Sequence, residues 1–120
     1  MERLAVHHLA LRVSDCERAA AFYTGVLGLP ELRRFQDADR VRSIWLRAGD
    51  VVLMLERALR GRGPEEGSSH LLALGVDGLA DWEARLTAAG VPIDDRTAYT
   101  LYVRDPDGHR VGLTVYENID

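Results

Sequence analysis

Apolar side chains alternate with polar ones early in the chain and then recur at a longer interval. Over residues 8–13, leucine and valine alternate with histidine, alanine and arginine, which is the two-residue period of a strand with one buried face. Over residues 19–27 the apolar positions lie three or four apart, which predicts a helix with one apolar stripe. Ser14 and Glu17 have the spacing of a capping box at its start, and Gly28 predicts its end.

Three strands are predicted after this helix. Residues 33–36, 43–48 and 51–56 have the length and composition of strands, and Gly49 between the last two predicts a tight hairpin. Residues 57–69 place glycines and a proline among charged side chains. This composition predicts a linker.

The same pattern returns in the second half of the chain. Residues 71–76 form an apolar, strand-like run, and residues 79–89 carry an apolar stripe at helical spacing. Two further strands are predicted at residues 99–104 and 110–117, joined by the sequence Asp-Pro-Asp-Gly at residues 105–108. That sequence predicts a turn, because proline presets one torsion angle and glycine accepts a positive φ.

A Gly-x-Pro sequence follows each predicted helix and aligns the two halves. Gly28 and Gly90 begin these sequences and lie 62 residues apart, so a unit of one strand, one helix and further strands occurs twice. A chain of 120 residues has the length of one domain. We therefore predict a single domain over residues 1–120, with unit one at residues 4–57, a linker at 58–69 and unit two at 70–118.

Composition and charge exclude several classes of protein. Hydrophobic residues make up 47% of the chain, and no apolar run approaches the roughly 18 residues that a membrane span needs. The net charge of −4 comes from 15 basic and 19 acidic side chains mixed along the chain, which argues against a nucleic-acid partner. Residues 1–4 lack the features of a signal peptide, so we expect a cytoplasmic location. Cys16 is the only cysteine, which excludes an internal disulfide and a cysteine-based zinc cluster.

Three motifs in a specific order extend over nearly the whole chain. They are His8-x-x-Leu-Arg-Val-Ser-Asp, then Ala-Phe-Tyr at residues 21–23 followed by Leu-Gly-Leu at 27–29, and Val-Arg-Asp-Pro-Asp-Gly at 103–108. Together they resemble the vicinal oxygen chelate superfamily, which includes glyoxalase I, extradiol dioxygenases, fosfomycin-resistance enzymes and bleomycin-resistance binding proteins. The resemblance implies an α+β fold, the glyoxalase/bleomycin-resistance fold, in which two βαβββ units form a curved, mixed eight-stranded sheet.

The resemblance also implies four metal-ligand positions on the concave face of that sheet. The first-strand position is kept as His8, whereas the other three fall on Met54, Leu71 and Gly112. These three side chains do not ligate a hard divalent ion, which needs three or four oxygen or nitrogen donors. We therefore expect no metal and no other cofactor, with His8 alone retained from the family's ligand set.

Two side chains are the candidates for catalysis if the chain is an enzyme. His8 or Glu56 is able to move a proton, and both join His70 in a shifted metal site if a bulge turns His70 inward. Arg12 shares the strand face of His8, where glyoxalase I-like sequences carry an arginine that contacts the glutathione carboxylate. A guanidinium there suits a carboxylate or phosphate, and an ion pair with an acidic side chain is the structural alternative.

Strand parity places further side chains on the same concave face. They form an apolar and aromatic set with a few hydroxyls, which is the composition of a small-molecule site. The alternative is that Trp45, Met54 and Leu71 close the cleft as packed core. The candidate ligand-binding residues beside Arg12 are Trp45, Met54, Leu71, Ala73, Tyr102, Gly112, Thr114 and Tyr116.

A preserved frame with three replaced ligands favours a small-molecule-binding protein of the glyoxalase/bleomycin-resistance type. The alternative is a metal-dependent glyoxalase-like lyase or extradiol-type dioxygenase with a shifted metal site, and the sequence leaves open whether any reaction is catalysed. A third possibility is a scaffold domain whose own side chains fill the cleft. From the resemblance we expect a homodimer, swapped or unswapped, with a small-molecule ligand and neither a nucleic-acid nor a membrane partner.

Overall fold

A computed structural model describes residues 3–59 and 70–116 of the chain. The chain divides into two compact units, Met1–Gly63 and Pro64–Asp120. Each unit contains one strand, one helical segment and three further strands, arranged as a mixed four-stranded sheet. The α+β class with two βαβββ units is therefore confirmed.

The first unit forms its sheet in the order β1-β4-β3-β2. The parallel pair is β1 with β4, and the other neighbours are antiparallel. The elements are β1 (His8–Arg12), α1 (Cys16–Ala20), a π-helical continuation (Ala21–Val26), β2 (Glu31–Asp37), β3 (Arg40–Ala48) and β4 (Val51–Glu56).

One face of this sheet packs against the helix and forms a core. Helix α1 contacts β3 and β4, whose inward side chains are almost fully buried. The apolar stripe predicted along the helix supplies the other side of this core, with Tyr23 fully buried. The buried strand residues are Ile44, Leu46, Leu53 and Leu55.

The start of helix α1 differs from the predicted capping box. Asp15, not Ser14, is the N-cap, and its Oδ1 accepts hydrogen bonds from the backbone N–H groups of Glu17 and Arg18 at 3.0 and 3.1 Å. Ser14 instead accepts a hydrogen bond from the Arg18 guanidinium. Asp15 has the extended backbone that an N-cap requires, with φ −143° and ψ 109°, so its side chain is the one that reaches the free N–H groups.

The second unit repeats the strand order as β5-β8-β7-β6, with β5 parallel to β8. Leu86 of its helix is fully buried, and this helix contacts β7 and β8. The second strand of the unit is only two residues long and has no apolar pattern. The elements are β5 (Leu71–Gly75), α2 (Leu79–Ala88), β6 (Asp95–Arg96), β7 (Thr100–Arg104) and β8 (Arg110–Thr114).

Both predicted turns are present. Ala48 pairs with Val51 across the first hairpin, and Gly49 between them has a φ of 64°. In the second turn Gly108 has a φ of 87°, and the buried Asp105 accepts hydrogen bonds from two backbone N–H groups of the turn through Oδ1.

Two predicted segments extend outside the described residues. They are most of the linker at 58–69 and residue 117 of the last predicted strand, which ends at Thr114 in the structure. Within the described ranges, no helix has the length and apolar character needed to cross a membrane.

Candidate functional site

The sheet face of the first unit that points away from helix α1 carries the first-strand candidates. Three residues of β1 lie opposite three residues of β4 in the parallel ladder. Their side chains share this face because residues two apart on a strand point the same way. The pairs are His8 with Val52, Ala10 with Met54, and Arg12 with Glu56.

The two candidate catalytic residues are far apart on this face. His8 is level with Val52, so Glu56 lies four residues further along the strand, a displacement of about 13 Å. Side chains that stand roughly perpendicular to a sheet do not close a main-chain separation of that size around one ion, whose ligands sit about 2 Å from it. His8 is exposed, and its Nδ1 lies 2.9 Å from Nδ1 of His7. The structure therefore does not bring His8 and Glu56 together in the first unit.

Trp45 and Met54 are neighbours in the centre of the same face. They are directly opposite each other in the β3–β4 ladder, and both are half-buried. The indole Nε1–H of Trp45 donates a hydrogen bond of 2.9 Å to Oγ of the buried Ser43. This bond fixes the orientation of the indole ring on the strand.

An aromatic and arginine cluster extends this face onto β2. Arg33 is opposite Trp45 in the β2–β3 ladder, and Phe35 is opposite Ser43. The rings of Phe35 and Trp45 have centroids 5.2 Å apart, and the Arg33 guanidinium lies 5.7 Å from the Trp45 centroid. Sequence reasoning did not select Arg33 and Phe35 as site residues, although both lie in the strand predicted at residues 33–36.

The equivalent face of the second unit is built around Gly112. Ala73 of β5 and Tyr102 of β7 flank this buried glycine in the two ladders. A Cβ atom at Gly112 would lie 3.3 Å from Thr100 Cγ2, 3.6 Å from Leu71 Cδ1 and 3.7 Å from Tyr102 Cε1. Apolar and aromatic carbon atoms thus surround the position on three sides.

Hydroxyl groups and tyrosine rings border this glycine. Thr100 Oγ1 donates a hydrogen bond of 2.9 Å to Thr114 Oγ1, whose own hydroxyl donates to the backbone carbonyl of Tyr99 at 3.3 Å. The Tyr99 and Tyr116 rings meet edge to face with centroids 5.3 Å apart, and both are more than half exposed. The predicted strand residues of the second unit therefore lie on one face. Tyr116 follows the end of β8, where its backbone N–H donates to Thr114 Oγ1 and its ring contacts Tyr99.

Cys16 is buried away from these faces. Its Sγ–H donates to the carbonyl oxygen of Leu55 at 3.5 Å. Burial, with a further contribution from the charge of Glu56, raises the pKa of the thiol above its ordinary value. A thiol of raised pKa is a poor nucleophile at neutral pH.

The four positions that the resemblance assigns to metal ligands do not fit a divalent ion. They offer one imidazole, one thioether, one leucine and one glycine, and the glycine is closed in by carbon atoms. Within residues 3–59 and 70–116, no three histidine, cysteine, aspartate or glutamate side chains come together in a way that would hold an ion.

Comparison with protein families finds one match over most of the chain. The sequence model of the Glyoxalase/Bleomycin resistance protein/Dioxygenase superfamily matches residues 5–113.

Individual relatives are described with different functions. A protein of Vibrio cholerae described as a probable lactoylglutathione lyase is 28% identical, over 94% of this chain and 91% of its own length. A protein of Serratia marcescens named glutathione transferase FosA is 28% identical, over 92% of this chain and 80% of its own length. The crystal structure of TnmS3, an antibiotic-binding protein from Streptomyces sp. CB03234, superposes with a TM-score of 0.75 at 26% identity, over 95% of this chain and 97% of the other.

Proposed function

This chain belongs to the Glyoxalase/Bleomycin resistance protein/Dioxygenase superfamily, and from that membership we propose that it binds a small, partly aromatic molecule without a metal ion. Its role is to hold that molecule rather than to transform it. The candidate ligand-binding residues of this proposal are Arg12, Trp45 and Met54 in the first unit, and Leu71, Tyr102, Gly112, Thr114 and Tyr116 in the second.

The surroundings of Gly112 carry the proposal. By resemblance, metal-dependent members place a glutamate here, and a glutamate would bring its Cβ to 3.3 Å from Thr100 Cγ2. That distance is too short for an unstrained contact, so Thr100 would have to move. The missing side chain instead leaves the Tyr102 ring and the Leu71 side chain accessible to an apolar ligand, in keeping with the composition of small-molecule sites.

The likeness to TnmS3 supports the same function. That protein is described as antibiotic-binding, and at 26% identity its similarity to this chain extends beyond the fold to part of the sequence. The apolar and aromatic parts of a small ligand need carbon surface to pack against. The half-buried Trp45 and Met54 and the exposed Tyr116 offer contact area of that kind.

A second candidate function is a metal-dependent lyase with a shifted ion site. Two observations favour it: His8 is exposed on the sheet face, and the Vibrio cholerae relative is described as a probable lactoylglutathione lyase. In this alternative His8 or Glu56 moves the proton. The separation of those two side chains along the strands counts against a common ion.

Metal content and turnover separate the two functions. Elemental analysis is carried out on protein purified without chelators and on protein equilibrated with Ni²⁺ or Zn²⁺, and lyase activity is assayed with methylglyoxal and glutathione. Thermal unfolding is followed with bleomycin and with a set of aromatic polyketide antibiotics. We expect substoichiometric metal, no lyase turnover, and a raised unfolding midpoint with at least one antibiotic, because a ligand of the folded state alone stabilises it.

One result would reverse this conclusion. Stoichiometric metal that disappears in a His8→Ala variant, together with lyase turnover that disappears with it, establishes the second function. His109→Ala is the matched control, because His109 lies at the turn before β8 rather than on the first sheet face. Loss of metal in both variants would point to non-specific binding and would leave the first function standing.

The proposal includes a homodimer located in the cytoplasm. Strands β1 and β2 are the edges of one sheet and β5 and β6 of the other, so further pairing at an edge is available to a second copy. Light scattering at several protein concentrations measures the oligomeric state, and a monomer at all of them would contradict this part of the proposal.

A further inference from the structure

Two aromatic rings on the first sheet face, Phe35 and Trp45, lie close to arginine side chains. Phe35 has the Arg33 guanidinium 5.9 Å from its ring centroid and the Arg42 guanidinium at 5.2 Å. Arg33 is also 5.7 Å from the Trp45 centroid, and the two rings are tilted by 56°. These distances are within the range of cation–π attraction, which reaches about 6 Å. The four side chains are called the arginine–aromatic cluster below.

The rings of this cluster are held in place before any ligand binds. The Trp45 N–H is already bonded to the buried Ser43 hydroxyl, so the indole presents only carbon surface. Phe35 is half-buried and faces Ser43 across the ladder. A fixed, half-exposed ring pair costs a ligand little conformational entropy to use.

The positive charge of the cluster is incompletely neutralised. Arg42 forms an ion pair of 3.1 Å with Asp37. Arg33, by contrast, makes no ion pair with any of the residues described, 3–59 and 70–116, although its neighbour Arg34 is paired with two glutamates. Although the chain has a net charge of −4, the exposed Arg33 guanidinium lies beside the aromatic rings without a carboxylate partner among the described residues.

We propose that the arginine–aromatic cluster selects ligands that are aromatic carboxylates. This inference rests on the proposed binding function and names the class of molecule bound. The ligand ring packs against Phe35 and Trp45, and its carboxylate accepts hydrogen bonds from the Arg33 guanidinium. A guanidinium that contacts a ring through its face keeps N–H groups at its edge, and these match the two oxygens of a carboxylate.

Matched ligands and variants test the selection by isothermal titration calorimetry. The ligands are 2-naphthoate, the neutral 2-naphthylmethanol and the non-aromatic cyclohexanecarboxylate. We expect 2-naphthoate to bind about tenfold more tightly than either of the others, since it alone uses both the rings and the guanidinium. Its affinity should fall with added salt, whereas that of the alcohol should not.

The variant Arg33→Gln separates the charge from the rings. It should weaken 2-naphthoate by about tenfold, to the level of the alcohol, and leave the alcohol unchanged. Arg33→Lys should recover part of the loss, because it restores charge without the planar fork. Arg85→Gln is the matched control: Arg85 lies 4.8 Å from the Trp82 ring centroid on helix α2, away from the cluster in the chain, and the variant should change nothing.

Three results would overturn the inference. They are equal affinity for the acid and the alcohol, no effect of Arg33→Gln on 2-naphthoate, or an equal effect of Arg85→Gln. Each of them leaves the binding function intact if bleomycin or a polyketide antibiotic still raises the unfolding midpoint. Lyase turnover with stoichiometric metal would instead remove the proposed function itself, so the two failures are distinguishable.

Discussion

The two units share a strand order but differ on the sheet faces that point away from their helices. The first unit presents arginines and aromatic rings around Trp45, whereas the second presents threonines, tyrosines and the closely surrounded Gly112. On the core faces both units carry alternating leucines, isoleucine and valines that are almost fully buried. The repeat therefore preserves the core while its outer faces have diverged, and the divergent faces are where ligand selection is expected.

The helices of the two units also differ in how firmly they are held. The helical segment of the first unit buries five side chains, and the side chain of its N-cap residue, Asp15, accepts hydrogen bonds from backbone N–H groups of the first turn. Helix α2 buries Leu86 alone and starts at Gly78 without a side-chain cap. More buried apolar area and a satisfied helix start both favour the first unit. We expect substitutions in the core to cost more there.

Equivalent core leucines give the largest expected effects. Leu55 pairs with Leu11 and Ile44, and Leu113 pairs with Leu74 and Leu101 in the corresponding place. Substitution of either by alanine should lower the free energy of unfolding by about 2–5 kcal/mol, because a cavity remains in packed surroundings. We expect Leu55→Ala to be the more damaging of the two.

Urea unfolding of both variants measures this ranking. Val52→Ala is the control, since Val52 is half-buried on the opposite face of β4 and its loss should cost less than either leucine. An equal or larger cost for Leu113→Ala would show that helix packing does not distinguish the units.

The space around Gly112 gives the next effect. Alanine at this position should destabilise the protein by about 1 kcal/mol, since its Cβ at 3.3 Å from Thr100 Cγ2 forces a neighbour to shift. In a Thr100→Ser background Cγ2 is absent and the hydroxyl bonded to Thr114 is kept. There alanine should be neutral or stabilising, because it reduces the entropy of the unfolded chain.

A double-mutant cycle from urea unfolding measures this coupling. The same cost for Gly112→Ala in both backgrounds would mean that the contact with Thr100 does not set it. Met54→Leu is the comparison on the first unit, where Met54 lies opposite Trp45 in the centre of the sheet face. This substitution nearly conserves side-chain volume and should cost little stability.

Substitutions at the N-terminal ends of the two helices should change stability by smaller amounts. Asp15→Ala removes the acceptor of two backbone N–H groups and should cost about 1 kcal/mol. Ser14→Ala should cost less. In the second unit, Gly78→Asp should gain a few tenths of a kcal/mol, because Gly78 already has an extended backbone and open space at its Cβ position. Thermal unfolding reports both, and a larger loss from Ser14→Ala than from Asp15→Ala would contradict the assigned cap.

The sequence predicted the strands and helices best where apolar residues kept a clear period. Alternating apolar residues predicted β1, β4 and β5, and the turn sequences that contain Gly49 and Gly108 predicted both hairpins. Strand β6 was not located because Asp95 and Arg96 bury nothing and carry no apolar pattern. Ser14 and Asp15 are both good capping residues, so only the backbone conformation decides between them.

The site was predictable only in part, for a different physical reason. Parity placed Trp45, Met54, Tyr102 and Gly112 on the outer faces as the structure has them. Parity alone does not reveal Arg33, because β2 carries irregularities on both sides of its centre, between Glu31 and Arg33 and after Phe35. A one-residue shift in register exchanges the two faces of a strand. The contacts of β2 therefore depend on pairing that a local pattern does not contain.

An ion pair at the start of β2 gives the smallest expected effect. Hydrogen bonds from Arg34 lower the pKa of Glu31 below its ordinary value of 4.5, with Nη2 to Oε1 at 2.8 Å and Nε to Oε2 at 3.0 Å. A lowered pKa in the folded state stabilises the protein above the ordinary pKa, and this contribution is lost as the pH falls below 4.5 toward the folded-state value. The contribution should stay under about 1 kcal/mol, because the side chains of Glu31 and Arg34 are 34% and 39% exposed.

Glu31→Gln should therefore lower stability slightly at pH 7 and approach the parent protein in acid, as measured by urea unfolding across that range. Glu17→Gln, which removes the more exposed partner of Arg34, should have a smaller effect at pH 7, and the reverse order would assign the main stabilisation to the contact between the helix and the strand.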